Sequence, residues 1–397
     1  MICCTRPKGS WCWPAMTNPL PKRKSSTCSG SSERRRHCRF TSRCAVYIAG
    51  CSAQRTRYHP AGRNARGCSA PAGRNAMHSM RASVVIPTLN RGAELCAALD
   101  DILTQDYPDF EVIVVDQTTT HPPDIASRLE SYTKHIRYFQ FHPPGVVTAC
   151  NEGVRRATGD IVILVDDDVR VRSPRFIDAH ARNYADAGVG GIAGQIMHDR
   201  QTTPRRPDPR YGRRLLPWMF LRLDTAHRHD IETGGAGNLS FRRTIWEELG
   251  GFDEHFAGNA YRWESDFCFR LRARGYRLVF DPTASLEHLY AAVRGGGCEN
   301  HRLFETGPAA HAYLRMFFQN NLYFCLKNCP RPSVPLFLLR HYRESVCNRG
   351  FLARGPKELL GRHRAFLSGV ADGIAVWRSR PGDAVGGGPR SAGTART

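Results

Sequence analysis

Three consecutive carboxylates, Asp166, Asp167 and Asp168, close the wholly apolar run IVILV at 161–165. In an extended chain residues two apart face the same side, so Asp166 and Asp168 converge while Asp167 turns away. Two carboxylates converging at the edge of a core repel, and a divalent cation or a protonation shift relieves them. Hard carboxylate oxygens suit Mg²⁺ or Mn²⁺, ions that keep several waters and share a substrate's phosphates. A solvated acidic turn capping the helix after Ser173 is the other reading of the same residues. Further on, Glu264 and Asp266 open a segment continued by Phe267, Leu271 and Arg274 at helical spacing. A helix N-terminus favours the ionised carboxylate, the form a base needs, and acids there also serve as plain caps.

Such acids need a scaffold, and the flanking sequence supplies one. The run SVVIP (83–87) reads as a buried strand and 93–103 as a helix; FEVIVV (110–115) and 136–141 read as further strands. A helix over 144–157 then leads into the strand 161–165. Strands separated by helices predict an α/β sheet with right-handed crossovers and ligands beyond the carboxyl ends of its strands. Thr88, Asn90, Arg91, Asp116 and the acidic triplet fall at those ends. The Pro- and Arg-rich stretch 200–214 reads as a long exposed loop. Beyond 309 the chain turns helical with aromatic and basic residues mixed (Tyr313, Phe317, Phe318, Tyr323, Phe324), and from Arg380 it is Gly-rich.

The formal charge of +21 over 397 residues is concentrated at one end. Segment 1–79 holds fifteen Lys or Arg against the single acid Glu33, and eight of the fifteen cysteines. None of these cysteines forms a C-x-x-C pair, so a zinc site has little support. No apolar run there has the length of a signal sequence, and none in the chain reaches a membrane span. The reading is a soluble, cytoplasmic protein whose residues 1–79 are a disordered basic tail or a mis-assigned start, with Met77 and Met80 just ahead of the first strand. A catalytic domain over 80–308, a helical extension over 309–379 and a disordered end over 380–397 complete the expected organisation. Nucleic acid is not an expected partner, because the basic excess lies outside the folded region.

Five blocks in order give the sequence a family likeness: SVVIPTLNR (83–91), QDYPDFEVIVVD (105–116), GVVTACNEGVRRATGDIVILVDDD (145–168), TGGAGNLSFRRTIWEELGGFDEHF (233–256) and WESDFCFRLRARGYRL (263–278). Together they resemble the family 2 glycosyltransferases, inverting enzymes of the GT-A fold. That resemblance implies a mixed, mostly parallel sheet flanked by helices, a nucleoside diphosphate sugar donor, a divalent cation and an acceptor hydroxyl on a glycan or a lipid-linked molecule. It implies that Pro87 and Asp116 line the nucleoside pocket, Asp116 accepting a hydrogen bond from the base. On the donor-site helix Asn151 would face the nucleotide and Arg155 or Arg156 would reach the diphosphate, with a helix-surface Arg as the alternative for at least one of them; Asp166 would contact ribose or sugar, and Asp168 would ligate the metal. Where the family runs on into Asp-Gly-Ser after its second strand, this chain has Gln117, Thr118 and Thr119.

The same resemblance puts Glu264 in the slot of the family's base, one methylene longer than the usual Asp, with Asp266 as the competing candidate. His288, in the phrase SLEHLY, stands where many GT-A enzymes carry a third metal ligand, and a structural His is the alternative. Gly234, Gly235 and Gly237 suggest close backbone approach to the sugar or a tight turn. Two other functions fit the broad pattern. A nucleotidyltransferase would show a Gly-rich loop with Lys or Arg directly after the first strand, which Thr88-Leu89-Asn90-Arg91 does not provide. A binding protein that has lost catalysis would lack acids at 166, 168 or 264, and all three are present. The C-terminal helices could lie at the inner face of a membrane as a peripheral contact, or pack on the catalytic domain; packing is the favoured expectation.

Overall fold

The computed structural model describes residues 80–198, 203–205, 222–289 and 303–380. The basic segment 1–79, most of the loop 200–214 and the Gly-rich end beyond Arg380 lie outside the described residues. The first half of the sheet alternates strand and helix: β1 (Ala82–Thr88), α1 (Gly92–Ile102), β2 (Phe110–Asp116), α2 (Pro123–Tyr132), β3 (Arg137–Gln140), α3 (Val146–Arg156) and β4 (Ile161–Val165). β3, β2, β1 and β4 lie side by side, all parallel. The run of β-branched residues in β1, β2 and β4 suits strands covered on both faces.

The period of two sorts these side chains into two cores. Val84, Ile86, Val112, Val114, Ile161 and Ile163 face α1, meeting Leu95, Leu99 and Ile102. Val85, Ile113, Val115, Val162 and Leu164 face the other way onto Val147, Cys150 and Val154 of α3. All are buried, and each such side chain stabilises the fold by about 1.5–3 kcal/mol.

The second half is built differently. After the short β5 (Val169–Arg170) and α4 (Phe176–Ala181) come β6 (Val189–His198), β7 (His229–Asp230), β8 (Asn238–Arg242), α5 (Arg243–Glu248), α6 (Trp263–Ala273) and β9 (Arg277–His288). β8 runs antiparallel between β4 and β6, β9 lies parallel to β6, and β5 closes the sheet antiparallel to β9. β6 carries three glycines, and a methyl group at Gly194 would sit 2.3 Å from the Ala284 carbonyl oxygen. The pairing of β6 with β9 therefore depends on that missing side chain.

Four helices follow: α7 (Pro308–Asn328), α8 (Ser333–Ser345), α9 (Arg349–Leu352) and α10 (Pro356–Ser379). Tyr313, Phe317, Phe318, Tyr323 and Phe324 of α7 are all buried. Tyr323 packs edge-on against Phe256, and Phe324 against Phe269 of α6. Phe318 meets Phe366 of α10. Among the described residues no helix is long and apolar enough to cross a membrane.

Candidate functional site

Strand adjacency assembles the acidic cluster. β1 and β4 are parallel neighbours with Val85 opposite Leu164, so β1 runs on past the end of β4 and Thr88 and Arg91 come beside the turn that follows it. The Thr88 hydroxyl donates to Asp167 Oδ2 at 2.7 Å, and Arg91 Nη1 donates to Asp167 Oδ1 at 2.8 Å. Arg91 also lies 3.4 Å from Asp168 Oδ2. Burial pushes the Asp167 carboxyl up to about 6 although Arg91 and Thr88 oppose it. Asp167 is thus the member of the triplet spent on the scaffold.

Asp166 and the other oxygen of Asp168 meet His288, which β9 delivers. The pairing of β5 with β9 sets Val169 opposite His288, and the Leu289 amide donates to the Asp168 carbonyl. His288 Nε2 lies 3.4 Å from Asp166 Oδ2 and 3.4 Å from Asp168 Oδ1. One ligand atom from each of the three falls within 4.8 Å of the others. Burial would lower the pKa of His288, but the two carboxylates outweigh it and hold it above its usual value. Two carboxylate oxygens and an imidazole nitrogen converging at one point form a donor set that fits Mg²⁺ or Mn²⁺.

Gly237 belongs to the same cluster. Asn238 pairs with Val165, so the preceding residue abuts Asp166, and a Cβ on Gly237 would stand 2.3 Å from Asp166 Oδ2. Gly235 has no comparable neighbour: its Cβ would meet Leu223 and Ile196 at ordinary or slightly tight contact. The close approach expected of the Gly-rich strand falls at Gly237, against the acid itself.

The two acids that open α6 part company. Glu264 is half-buried; burial raises its pKa to about 7, its own amide and Arg262 oppose that, and the nearby Asp166 carboxylate adds to the rise. Asp266 is wholly buried on another side of the helix. It accepts from Arg270 Nε at 2.8 Å and Asn328 Nδ2 at 2.8 Å, and pairs with Lys327 Nζ at 3.1 Å. Lys327 also donates to Asp253 Oδ2 at 2.6 Å, alongside the Tyr323 hydroxyl. With these contacts Asp266 ties α6 to α7.

The turn entering α6 is held from outside. Ala260 and Arg262 both adopt positive φ (55° and 85°), uncommon for residues with a Cβ. Asn320 of α7 grips Ala257 by both its amide and its carbonyl, and Asn321 accepts from Arg262 Nε at 3.2 Å. These α7 contacts fix the start of the helix that carries Glu264. Nothing in the periodicity of α7 marks them, since Asn320 and Asn321 read as interruptions in an apolar run.

The residues expected at the nucleoside end are arranged less simply. Pro87 lies at the carboxyl end of β1, paired with Val115. Asp116 is fully buried, and its oxygens accept from the Thr118 amide (2.7 Å), His121 Nε2 (2.6 Å) and the Tyr138 hydroxyl (2.7 Å). Thr118 in turn accepts from the Asn90 amide and Gln117 from the Gly145 amide at the start of α3. The Gln-Thr-Thr segment thus works as a clamp between the loops after β1, β2 and β3. His121 and Tyr138 were not singled out by sequence reasoning, because neither sits in a motif.

On α3, Asn151 is buried and its amide is used on Phe252 N and O and on Glu254 Oε1. These bonds brace α3 against the Gly-Gly-Phe-Asp loop. Arg155 stands on the exposed end of the helix, paired with Glu152 at 3.1 Å and with Glu254 at 3.5 Å. Arg156 pairs with Glu152 and stacks over Phe139.

Comparison with known proteins follows the same outline. Residues 83–250 match the family described as Glycosyl transferase family 2. The chain is similar to "Uncharacterized protein y4gI" of Sinorhizobium fredii, 29% identical over 228 residues, which are 54% of this chain and 25% of that protein. It is also similar to "GalNAc(5)-diNAcBac-PP-undecaprenol beta-1,3-glucosyltransferase" of Campylobacter jejuni, 33% identical over 122 residues, 30% of this chain and 39% of that protein. The chain thus spans well under half the length of either relative. Among solved structures, TarS 1-349 of S. aureus in complex with UDP-GlcNAc superposes with a TM-score of 0.51 at 15% identity, covering 75% of this chain and 90% of that one. This last likeness is one of fold.

Proposed function

Taking as premise that residues 83–250 are a family 2 glycosyltransferase domain with a GT-A sheet, we propose that the chain transfers a sugar, with inversion, from a nucleoside diphosphate sugar to an acceptor hydroxyl. The observation that carries this reading is the meeting of Asp166, Asp168 and His288 at one point, with Glu264 close enough to feel the Asp166 charge. Asp166, Asp168 and His288 would hold a divalent cation, which supplies neutralisation of the charge that grows on a departing diphosphate.

The chain's own residues do the rest. Glu264 takes the proton of the acceptor hydroxyl as that oxygen bonds to the anomeric carbon. The bond from the same carbon to the diphosphate oxygen breaks on the opposite face, and the nucleoside diphosphate leaves. A carboxylate with a pKa near 7 is a strong base that is still ionised in useful amount at neutral pH. Gly237 leaves the Asp166 carboxylate open to the sugar or ribose. Pro87 forms a wall of the nucleoside pocket; Asp116, with both oxygens engaged, acts there by holding Thr118 and Tyr138. Arg155 reaches a diphosphate only by leaving Glu152 and Glu254. The acceptor is a hydroxyl on a glycan or a lipid-linked molecule, the latter in keeping with the undecaprenol-linked substrate in the name of the Campylobacter relative.

Titration calorimetry against a panel of nucleotide sugars with Mn²⁺ or Mg²⁺ tests the site. One donor should bind in a metal-dependent way, and Asp168→Asn should weaken it at least tenfold with the fold retained. Absence of binding by every donor with either metal would leave a GT-A-like scaffold in place of an enzyme.

A further inference from the structure

We propose that the outer face of the C-terminal helices docks on an anionic lipid bilayer. Among the described residues, the large apolar side chains that stand exposed are Phe304, Leu336, Leu339, Leu352, Leu360 and Leu367, between 41% and 63% accessible. All six lie beyond residue 302, and the sheet and its own helices contribute none.

Their spacing is that of an interfacial helix. On α10, Lys357, Leu360, Arg364 and Leu367 recur at intervals of three and four and are all exposed, a stripe of alternating cations and leucines. Leu336, Leu339 and Arg343 make the matching exposed stripe on α8. The two stripes lie on neighbouring helices that both pack on α7. α8 turns His341, packed on Phe337, toward Phe317 and Phe318 of α7, and α10 turns Phe366 and Gly369 toward the same helix. α8 and α10 touch each other through Tyr342, His363 and Phe366. Helices that lie side by side on a third one present their outer stripes away from it.

Charge decides the occupant. Residues 303–380 contain twelve Lys and Arg against four Asp and Glu, a net +8, whereas residues 80–302 contain twenty-eight against thirty, a net −2. A second copy would bring one net-positive helical layer against another, and segment 1–79 is also strongly basic; both combinations repel. An anionic bilayer attracts the cations and takes the leucines into the boundary between headgroups and acyl chains. Nucleic acid would satisfy the charge and leave the leucines in water.

Flotation of the full chain with vesicles tests this without reference to sugar transfer. Vesicles of phosphatidylcholine with about one-third phosphatidylglycerol should bind the chain at least about tenfold more tightly than phosphatidylcholine alone. Leu336→Ser/Leu339→Ser/Leu360→Ser/Leu367→Ser should lose about tenfold in partitioning, with the same melting temperature, since the altered side chains are exposed. Lys357→Glu/Arg364→Glu should lose a similar factor. Because segment 1–79 is intact in every variant, the differences read the helical face alone. Unchanged binding by both variants would overturn the proposal, as would equal binding to neutral vesicles. A dimeric parent chain that the leucine substitutions convert to monomer would identify a second copy as the occupant and overturn it equally.

Discussion

Residues two apart on a helix point about 200° away from each other, and that angle separates Glu264 from Asp266. Both read from sequence as acids in a first turn. The folded chain spends one on Lys327, Arg270 and Asn328 and leaves the other beside the acidic cluster. The triplet at 166–168 divides too, in the bend between β4 and β5, Asp167 meeting Thr88 and Arg91 and Asp166 and Asp168 meeting His288. What the spacing could not reveal is the partner set: Thr88 and Arg91 for Asp167, His121 and Tyr138 for Asp116, and the α3 strut made by Asn151. Those depend on which strand lies beside which. The raised pKa of Glu264 has two consequences of opposite kind. A folded pKa above the unfolded value means stability that is full below about 4.5 and is lost as pH rises through about 7. Thermal melts should therefore show Glu264→Gln more stable than the parent at pH 8, by on the order of 1 kcal/mol, and little different at pH 5. Activity runs the other way, since the base works only when ionised.

At the scale of elements, the β1–α1–β2 start and the strand ahead of the triplet were legible because apolar runs and turn residues agree there. α2 was missed: it buries only Leu129 and opens on two prolines, so it offers no apolar stripe. β6 was missed because its glycines lower strand propensity, and they are needed for close packing against β9. α7 read correctly as a helix, but its use as the brace of α6 rests on Asn320, Asn321 and Lys327. Lys327 lies between two buried carboxylates, Asp253 and Asp266, and burial would raise the Asp253 carboxyl were the ammonium and Tyr323 not holding it well below its usual range. Removing one partner of such a group costs about 3–5 kcal/mol. Denaturant unfolding of Lys327→Met should show a loss of that size at neutral pH, while Glu264→Gln, two residues from Asp266, shows none.

The whole molecule divides its charge and its tasks: a nearly neutral sheet carries the acids and a basic helical layer lies over one side of it. The sheet's identity was open to reading because five motifs fall in order along about 200 residues. The outer helical face was not, because which leucines stay exposed is decided by packing on α7. The account as a whole stands on Glu264 acting as base beside a metal-holding cluster. It is tested most directly by nucleoside diphosphate release from the bound donor, with Mn²⁺, across pH 5.5 to 9 (a span of roughly three units around the expected midpoint), in the parent chain, Glu264→Gln and Asp266→Asn. The account predicts a rate that rises with pH around 7 in the parent, a midpoint a bound cation would draw lower. It also predicts a loss of about 10²-fold or more in Glu264→Gln with donor affinity kept, and a pH profile in Asp266→Asn of the parent's shape. Release by Glu264→Gln at the parent's rate would contradict it.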